Sequence, residues 1–198
     1  MEIKKLEIGR QLIHLLIGLI IILSYLIIEK SVLLLILLFI LILAIISSIV
    51  SKNVKIPFIG FLLARFERDH NKNFPGKGFI FFMGGAMLVI KIFSQDIALM
   101  SLIVLTFGDS VSTLAGLFGG KYKRDPFNKY KSLYGTIAGI LVSFLIGLLV
   151  VNAFESAIAS IMGMVAEAIS LKLGEQEADD NLIVPMVAGT ALYLLRTL

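Results

Sequence analysis

The chain predicts an all-α membrane bundle of about seven transmembrane helices, and three observations carry that prediction. Hydrophobic residues make up 58% of its 198 residues and charged ones 16%, with a mean hydropathy of +0.98. An ordinary soluble domain has about 45–50% apolar and 25% charged residues. The apolar residues gather in seven runs, each near the roughly 20 residues that a spanning helix needs. Lys and Arg crowd into alternate connections between those runs.

Taken in order, the runs cover about 10–28, 31–50, 76–93, 97–118, 132–151, 153–172 and 181–197. The third and seventh are short. The first is too long for a cleaved signal peptide, lacks an A-x-A site and is followed at once by a second run. With the N-terminus in the cytoplasm, the inner segments hold Lys4, Lys5 and Arg10, then Lys52, Lys55, Arg65, Arg68, Lys72 and Lys77, then Lys121, Lys123, Arg124, Lys129 and Lys131, and finally Lys172. That is fifteen of the 18 basic residues; only Lys30, Lys91 and Arg196 lie outside. The positive-inside rule therefore predicts N-in and C-out in the cell membrane. The longest connection contains "IPFIGFLLARFER", whose Ile56, Ile59, Leu62, Leu63 and Phe66 recur at helical spacing. It predicts a short amphipathic helix on the cytoplasmic surface. The whole chain, 1–198, reads as one integral membrane catalytic domain without internal repeats.

Composition also excludes chemistry. There is no cysteine, so disulfides, thiolate metal sites and Cys nucleophiles are absent, and two histidines cannot make a His-rich metal site. No nucleic-acid partner is expected.

The candidate chemistry lies in polar residues at one depth. A charge inside a membrane costs about 2.5–3.5 kcal/mol even on the lenient insertion scale, so it faces the bundle interior. Asp109 sits in the inner half of the fourth run, His14 one turn beyond Arg10 in the first, Glu167 near the inner end of the sixth, and Asp179-Asp180-Asn181 opens the seventh. Asp96 and Glu155 fall at the outer surface. Each inner residue also has a plainer reading. Arg10 can anchor by snorkelling, His14 can be a packing residue, and Asp179-Asp180-Asn181 can be a helix cap. The stripe Gly108, Ser112, Gly116 and Gly120 suits close helix packing, which explains the glycines but not Asp109.

A basic segment, "GGKYKRDPFNKYKSLYGTIAG", follows and enters the fifth run. Lys121, Lys123, Lys131, Ser132, Gly135 and Thr136 are candidates to hold a triphosphate. A helix N-terminus suits an anion and a glycine admits phosphate to the backbone. The alternative is a positive-inside loop with a Ser cap. Lys77, in "GKG" at the third run, is a weaker second candidate. A Walker A loop is excluded, because Ala115 and Tyr122 stand where Gly and Ser or Thr are required. Carboxylates beside a basic loop fit Mg²⁺ bound with a nucleotide. Asp109, Asp180 and Glu167 are the expected metal-binding set, and the reaction class is phosphoryl or nucleotidyl transfer to a lipid. Arg10 and His14, four residues apart, share one helix face. Arg10 is expected at a nucleotide phosphate and His14 near a lipid hydroxyl, with His14 or Asp109 as the base.

"GDSVSTLAGLFGGKYK" followed by "KSLYGTIAG" resembles the paired signature of the polyprenol kinase family, which includes dolichol kinases, phytol kinases and CTP-dependent diacylglycerol kinases. "EIGRQLIH" resembles its E-x-x-R-K-x-x-H element, with Gln11 at the basic position. "FPGKGFIFFMGG" resembles its third-helix entry, and Glu167 with "DDNLIVP" its E…D-N-L-x-x-P ending. The resemblance implies Mg²⁺-dependent transfer of a nucleotide γ-phosphate, usually from CTP, to a polyprenol, dolichol, phytol-type alcohol or diacylglycerol at a cytoplasmic site. Phosphatidate cytidylyltransferases share the Asp, glycine and Lys arrangement, but their G-H-G-G…D-R-x-D signature is absent here. That activity is the alternative, and a small membrane transporter is the alternative of another class.

Overall fold

The computed structural model describes residues 2–51, 75–118, 132–169, 172–173, 176–177 and 179–198. Among these residues the chain forms seven helices: α1 (Glu2–Ile27), α2 (Lys30–Ser51), α3 (Lys77–Ile92), α4 (Gln95–Phe118), α5 (Leu133–Gly147), α6 (Ala153–Ile169) and α7 (Asp180–Thr197). The expected all-α membrane bundle is what the fold shows. The proposed amphipathic helix and Lys121, Lys123 and Lys131 lie outside the described residues.

Helix lengths differ from the expected spans. Leu6–Ile27, Lys30–Ser51 and Gln95–Phe118 are long and apolar enough to cross a bilayer. The remaining helices are shorter; α5 has 15 residues, about 22 Å at 1.5 Å per residue. The fifth run was expected to reach 151 but stops at Gly147, where Leu149 and Val150 bond back to the Ile146 and Gly147 carbonyls in a tight turn. Asn152 then starts α6, its side chain accepting from Glu155 N–H at 3.0 Å while Glu155 accepts from Asn152 N–H at 3.4 Å. This reciprocal capping box fixes the start of a helix. The sixth run, expected to 172, ends at Ile169. Lys172–Leu173 instead pairs antiparallel with Gln176–Glu177.

Helix α4 is the axle. Its apolar window is 72% buried, against 17% for α2. Helices α1, α3, α5, α6 and α7 pack on α4, while α2 lies at the edge against α3. The small-residue stripe of α4 meets its counterpart on α5. A Cβ on Gly139 would stand 2.6 Å from the Gly108 carbonyl, and one on Gly135 2.4 Å from the Ser112 carbonyl. Only glycine permits that approach, as expected for small-residue helix packing. Gly135 therefore faces α4 backbone, a packing role beside the phosphate role expected from sequence.

The short connections at 28–29, 93–94 and 148–152 share one end of the bundle. Lys30 Nζ donates to the Phe93 carbonyl at 3.2 Å, and Gln95 Nε2 to the Tyr25 carbonyl at 3.4 Å. Arg196 at the end of α7 joins Asp96 and Glu155 there. The helix ends that flank the long connections, at Ser51, Lys77, Phe118, Leu133, Ile169 and Asp180, lie at the opposite end.

Candidate functional site

At the long-connection end, α4 departs from α-helical geometry. Residues Val104–Gly108 form a π-helical turn, in which the Asp109 N–H reaches back five residues to the Val104 carbonyl. An unbroken α-helix would have bonded Asp109 N–H to Leu105. The Leu105 carbonyl instead lies 3.2 Å from His14 Nε2 on α1. The Asp109 carboxylate stands 3.8 Å from the same nitrogen. Phe82 of α3 packs edge-on against the imidazole, with centroids 4.3 Å apart and planes at 63°. Three helices thus converge on His14. Asp109 and His14, placed at one depth by their sequence positions, are neighbours in space.

The start of α7 completes this group. Asp179 is the N-cap: its carboxylate accepts from Asn181 N–H at 3.2 Å and from Asn181 Nδ2 at 2.9 Å. Asn181 Nδ2 also reaches the Gly78 carbonyl at 3.4 Å, tying α7 to α3. Lys77 Nζ lies 3.9 Å from Asp179 and 5.6 Å from the Phe81 ring centroid. Burial pushes the Asp179 carboxyl above its ordinary range. Its bonds from Asn181 and the Lys77 charge oppose that push, and the nearby Asp109 carboxylate adds to it. Lys77 thus stands with the carboxylates, not apart from them. Asp180 is the first residue of α7.

A second group adjoins the first along α4. Ser112, one turn beyond Asp109, donates to Glu167 of α6 at 3.5 Å. Glu167 is buried, with only 3% of its surface exposed. Opposite lies the start of α5. Ser132 is its N-cap residue but makes no side-chain cap bond, and its hydroxyl is buried without a hydrogen-bond partner among the described residues. Thr136 is buried and donates to the Ser132 carbonyl at 3.5 Å. Arg10 sits one turn nearer the helix start than His14 and forms an ion pair with Glu7. Gln11, buried, donates to Glu7 at 3.4 Å, and its amide oxygen has no partner among the described residues.

Among the described residues, no three His, Asp or Glu side chains lie close enough to hold a metal ion by themselves. The donor set still fits a hard divalent cation that also takes oxygens from a substrate. Mg²⁺ is usually bound by one or two carboxylates together with phosphates. Asp109 and Asp179 interact electrostatically, with His14 beside Asp109 and Lys77 beside Asp179.

The sequence reading missed four contributors. Asp179 interacts electrostatically with His14 and Asp109, whereas the sequence marked it only as part of a cap beside Asp180. Phe82 was one of many aromatic residues in an apolar run. The Leu105 carbonyl is backbone and leaves no mark in composition. Asn181 was visible only as part of a cap.

The chain belongs to one family with an uncharacterized protein of Methanocaldococcus jannaschii, to which it is 31% identical over 185 residues, covering 92% of this chain and 91% of that protein. It is also similar to a CTP-dependent diacylglycerol kinase of Schizosaccharomyces pombe, at 28% identity over 145 residues, which is 65% of this chain. The chain spans 64% of the length of that kinase. No family model matches the sequence. No solved structure matches it either.

Proposed function

We propose that this protein is a CTP-dependent lipid kinase that phosphorylates the hydroxyl of a membrane isoprenoid alcohol of the polyprenol, dolichol or phytol type, or of diacylglycerol. The observation that carries the reading is the meeting of Asp109, His14, Asp179 and Lys77 at one end of the bundle. Fifteen of the 18 basic residues belong to that end in the predicted topology. The similarity to the Schizosaccharomyces pombe kinase supports CTP as donor. In this reading the end faces the cytoplasm, where the nucleotide is.

The lipid hydroxyl oxygen attacks the γ-phosphorus, the bond to the β-phosphate oxygen breaks, and CDP leaves. Positioning and charge stabilisation dominate phosphoryl transfer. Lys121, Lys123, Lys131, Ser132 and Thr136 hold the triphosphate at the start of α5, with Lys77 and Arg10 completing the positive surround. The Ser132 hydroxyl, which has no partner among the described residues, supports that assignment. Mg²⁺, when bound, neutralises charge on the phosphates; Asp109 and Asp179 offer it oxygens, with Asp180 and Glu167 in supporting places. The hydroxyl proton passes to Asp109 or His14.

The test uses purified protein in detergent with CTP, Mg²⁺ and a panel of dolichol, polyprenol, phytol and diacylglycerol. Release of CDP with a phosphorylated lipid is expected. Release of pyrophosphate would make the protein a cytidylyltransferase. CTP turnover indifferent to every lipid would turn attention to transport.

A further inference from the structure

We infer that the π-helical turn of α4 is a positioning device: it frees the Leu105 carbonyl to hold the Nε2–H of His14, and so leaves Nδ1 as the nitrogen that receives the lipid hydroxyl. The first half stands on geometry alone; the second rests on the lipid kinase reading.

A neutral imidazole has one N–H and one lone pair. A carbonyl oxygen only accepts, so the nitrogen 3.2 Å from Leu105 is the donor. The Asp109 carboxylate, 3.8 Å from the same nitrogen, favours a proton there too. The partner of a histidine's donor nitrogen determines which nitrogen carries the lone pair. That partner exists because the Asp109 N–H bonds to Val104 and leaves Leu105 unclaimed by it. Single π turns inside α-helices are common at functional sites.

The same turn fixes where the ring stands. One helical turn beyond His14, a Cβ on Gly18 would lie 2.2 Å from the Thr106 hydroxyl of the π segment. Helix α1 is therefore pressed onto this turn at two successive contacts. Phe82 closes another side of the ring. The pocket is not sealed, for 14% of the His14 side chain stays exposed.

The chain has only two histidines, His14 and His70, so a His70→Gln variant labelled with ¹⁵N-histidine reports one ring. Spectra at about pH 8, above the ordinary imidazole value of about 6.5, should show Nε2 protonated and Nδ1 bare. A proton on Nδ1 overturns the inference. Two substitutions separate the ring's two jobs. His14→Gln carries an amide N–H to the Nε2 position and nothing to Nδ1. His14→Asn carries an amide oxygen to the Nδ1 position and no donor to Leu105. His14→Gln should keep the wild-type Tm and lose about 10²-fold in kcat, with KM for CTP unchanged. His14→Asn should lose about 2–4 °C in Tm and keep more kcat than Gln. Equal kcat in the two variants, or the reverse order, overturns the role of Nδ1. If the wild-type protein phosphorylates no lipid with CTP, the kinase reading falls. The tautomer and the order of the two Tm values then still decide whether the π turn holds His14.

Discussion

The two ends of the bundle both carry charge, but they treat it differently. At the short-connection end, Arg196 grips Glu155 through two bonds, 2.6 Å from Nε and 3.1 Å from Nη2, and also bonds Asp96. Ser94 donates to Asp96 at 2.6 Å, and Asn152 and Glu155 cap each other. This is a bidentate, charge-assisted network in which each ion has close partners. At the long-connection end, Asp109 lies 3.8 Å from His14 and Lys77 3.9 Å from Asp179. Among the described residues, Arg10 Nε, Gln11 Oε1 and Ser132 Oγ are buried without hydrogen-bond partners. The first arrangement locks helices together. The second keeps hydrogen-bonding capacity in hand, as expected of groups that await a ligand.

The largest expected effect lies at the loose end. Asp109→Asn should cut turnover by about 10²–10³, the scale seen when one group stabilising transition-state charge is lost. Its Tm should hardly move, because His14 keeps its bond to Leu105. Near-normal turnover with intact Mg²⁺ dependence would remove Asp109 from the mechanism. The comparison is sharpened by Gly135, which lies beside the loose end but faces packed backbone. Even Gly135→Ala should destabilise by about 1–3 kcal/mol, the range for overpacking, since its Cβ would meet the Ser112 carbonyl at 2.4 Å. Weaker CTP binding at unchanged Tm would instead favour close phosphate approach at this glycine.

The locked end should give the opposite pattern. Arg196→Ala leaves Asp96 and Glu155 facing each other and should cost about 1 kcal/mol, the upper end for an accessible ion pair. Turnover should stay within about twofold. A large loss of activity at unchanged Tm would mean that the two ends communicate. The smallest effect concerns pH. Burial raises the Asp179 carboxyl, so the folded chain keeps this proton where the unfolded chain has lost it. Stability should therefore fall as pH climbs from the ordinary value of about 3.9 through the raised one. Asp179→Asn should flatten that fall in thermal melts without Mg²⁺. A steeper fall in the mutant would contradict the assignment.

The sequence by itself determined the helical membrane class and the seven apolar runs, because burial in lipid demands long apolar segments with their backbone bonds satisfied internally. It also determined that the polar residues of separate helices fall at one depth. Counting 3.6 residues per turn along antiparallel runs suffices for that. Glycine spacing announced the α4 stripe, and Asp96 and Glu155 were expected at the same end of the bundle, where the structure pairs both with Arg196. Tertiary structure alone decided the rest. The helix end at Gly147 depends on a tight turn and the capping box that follows it, which override an apolar run. That Asp179 comes near His14 and Asp109 depends on how the start of α7 is turned toward α1 and α4, which adjacent residues in a sequence cannot reveal. The π turn at Val104–Gly108 lies where α4 packs against α1, α5, α6 and α7. No residue type demands it, and it alone turns a backbone carbonyl toward His14.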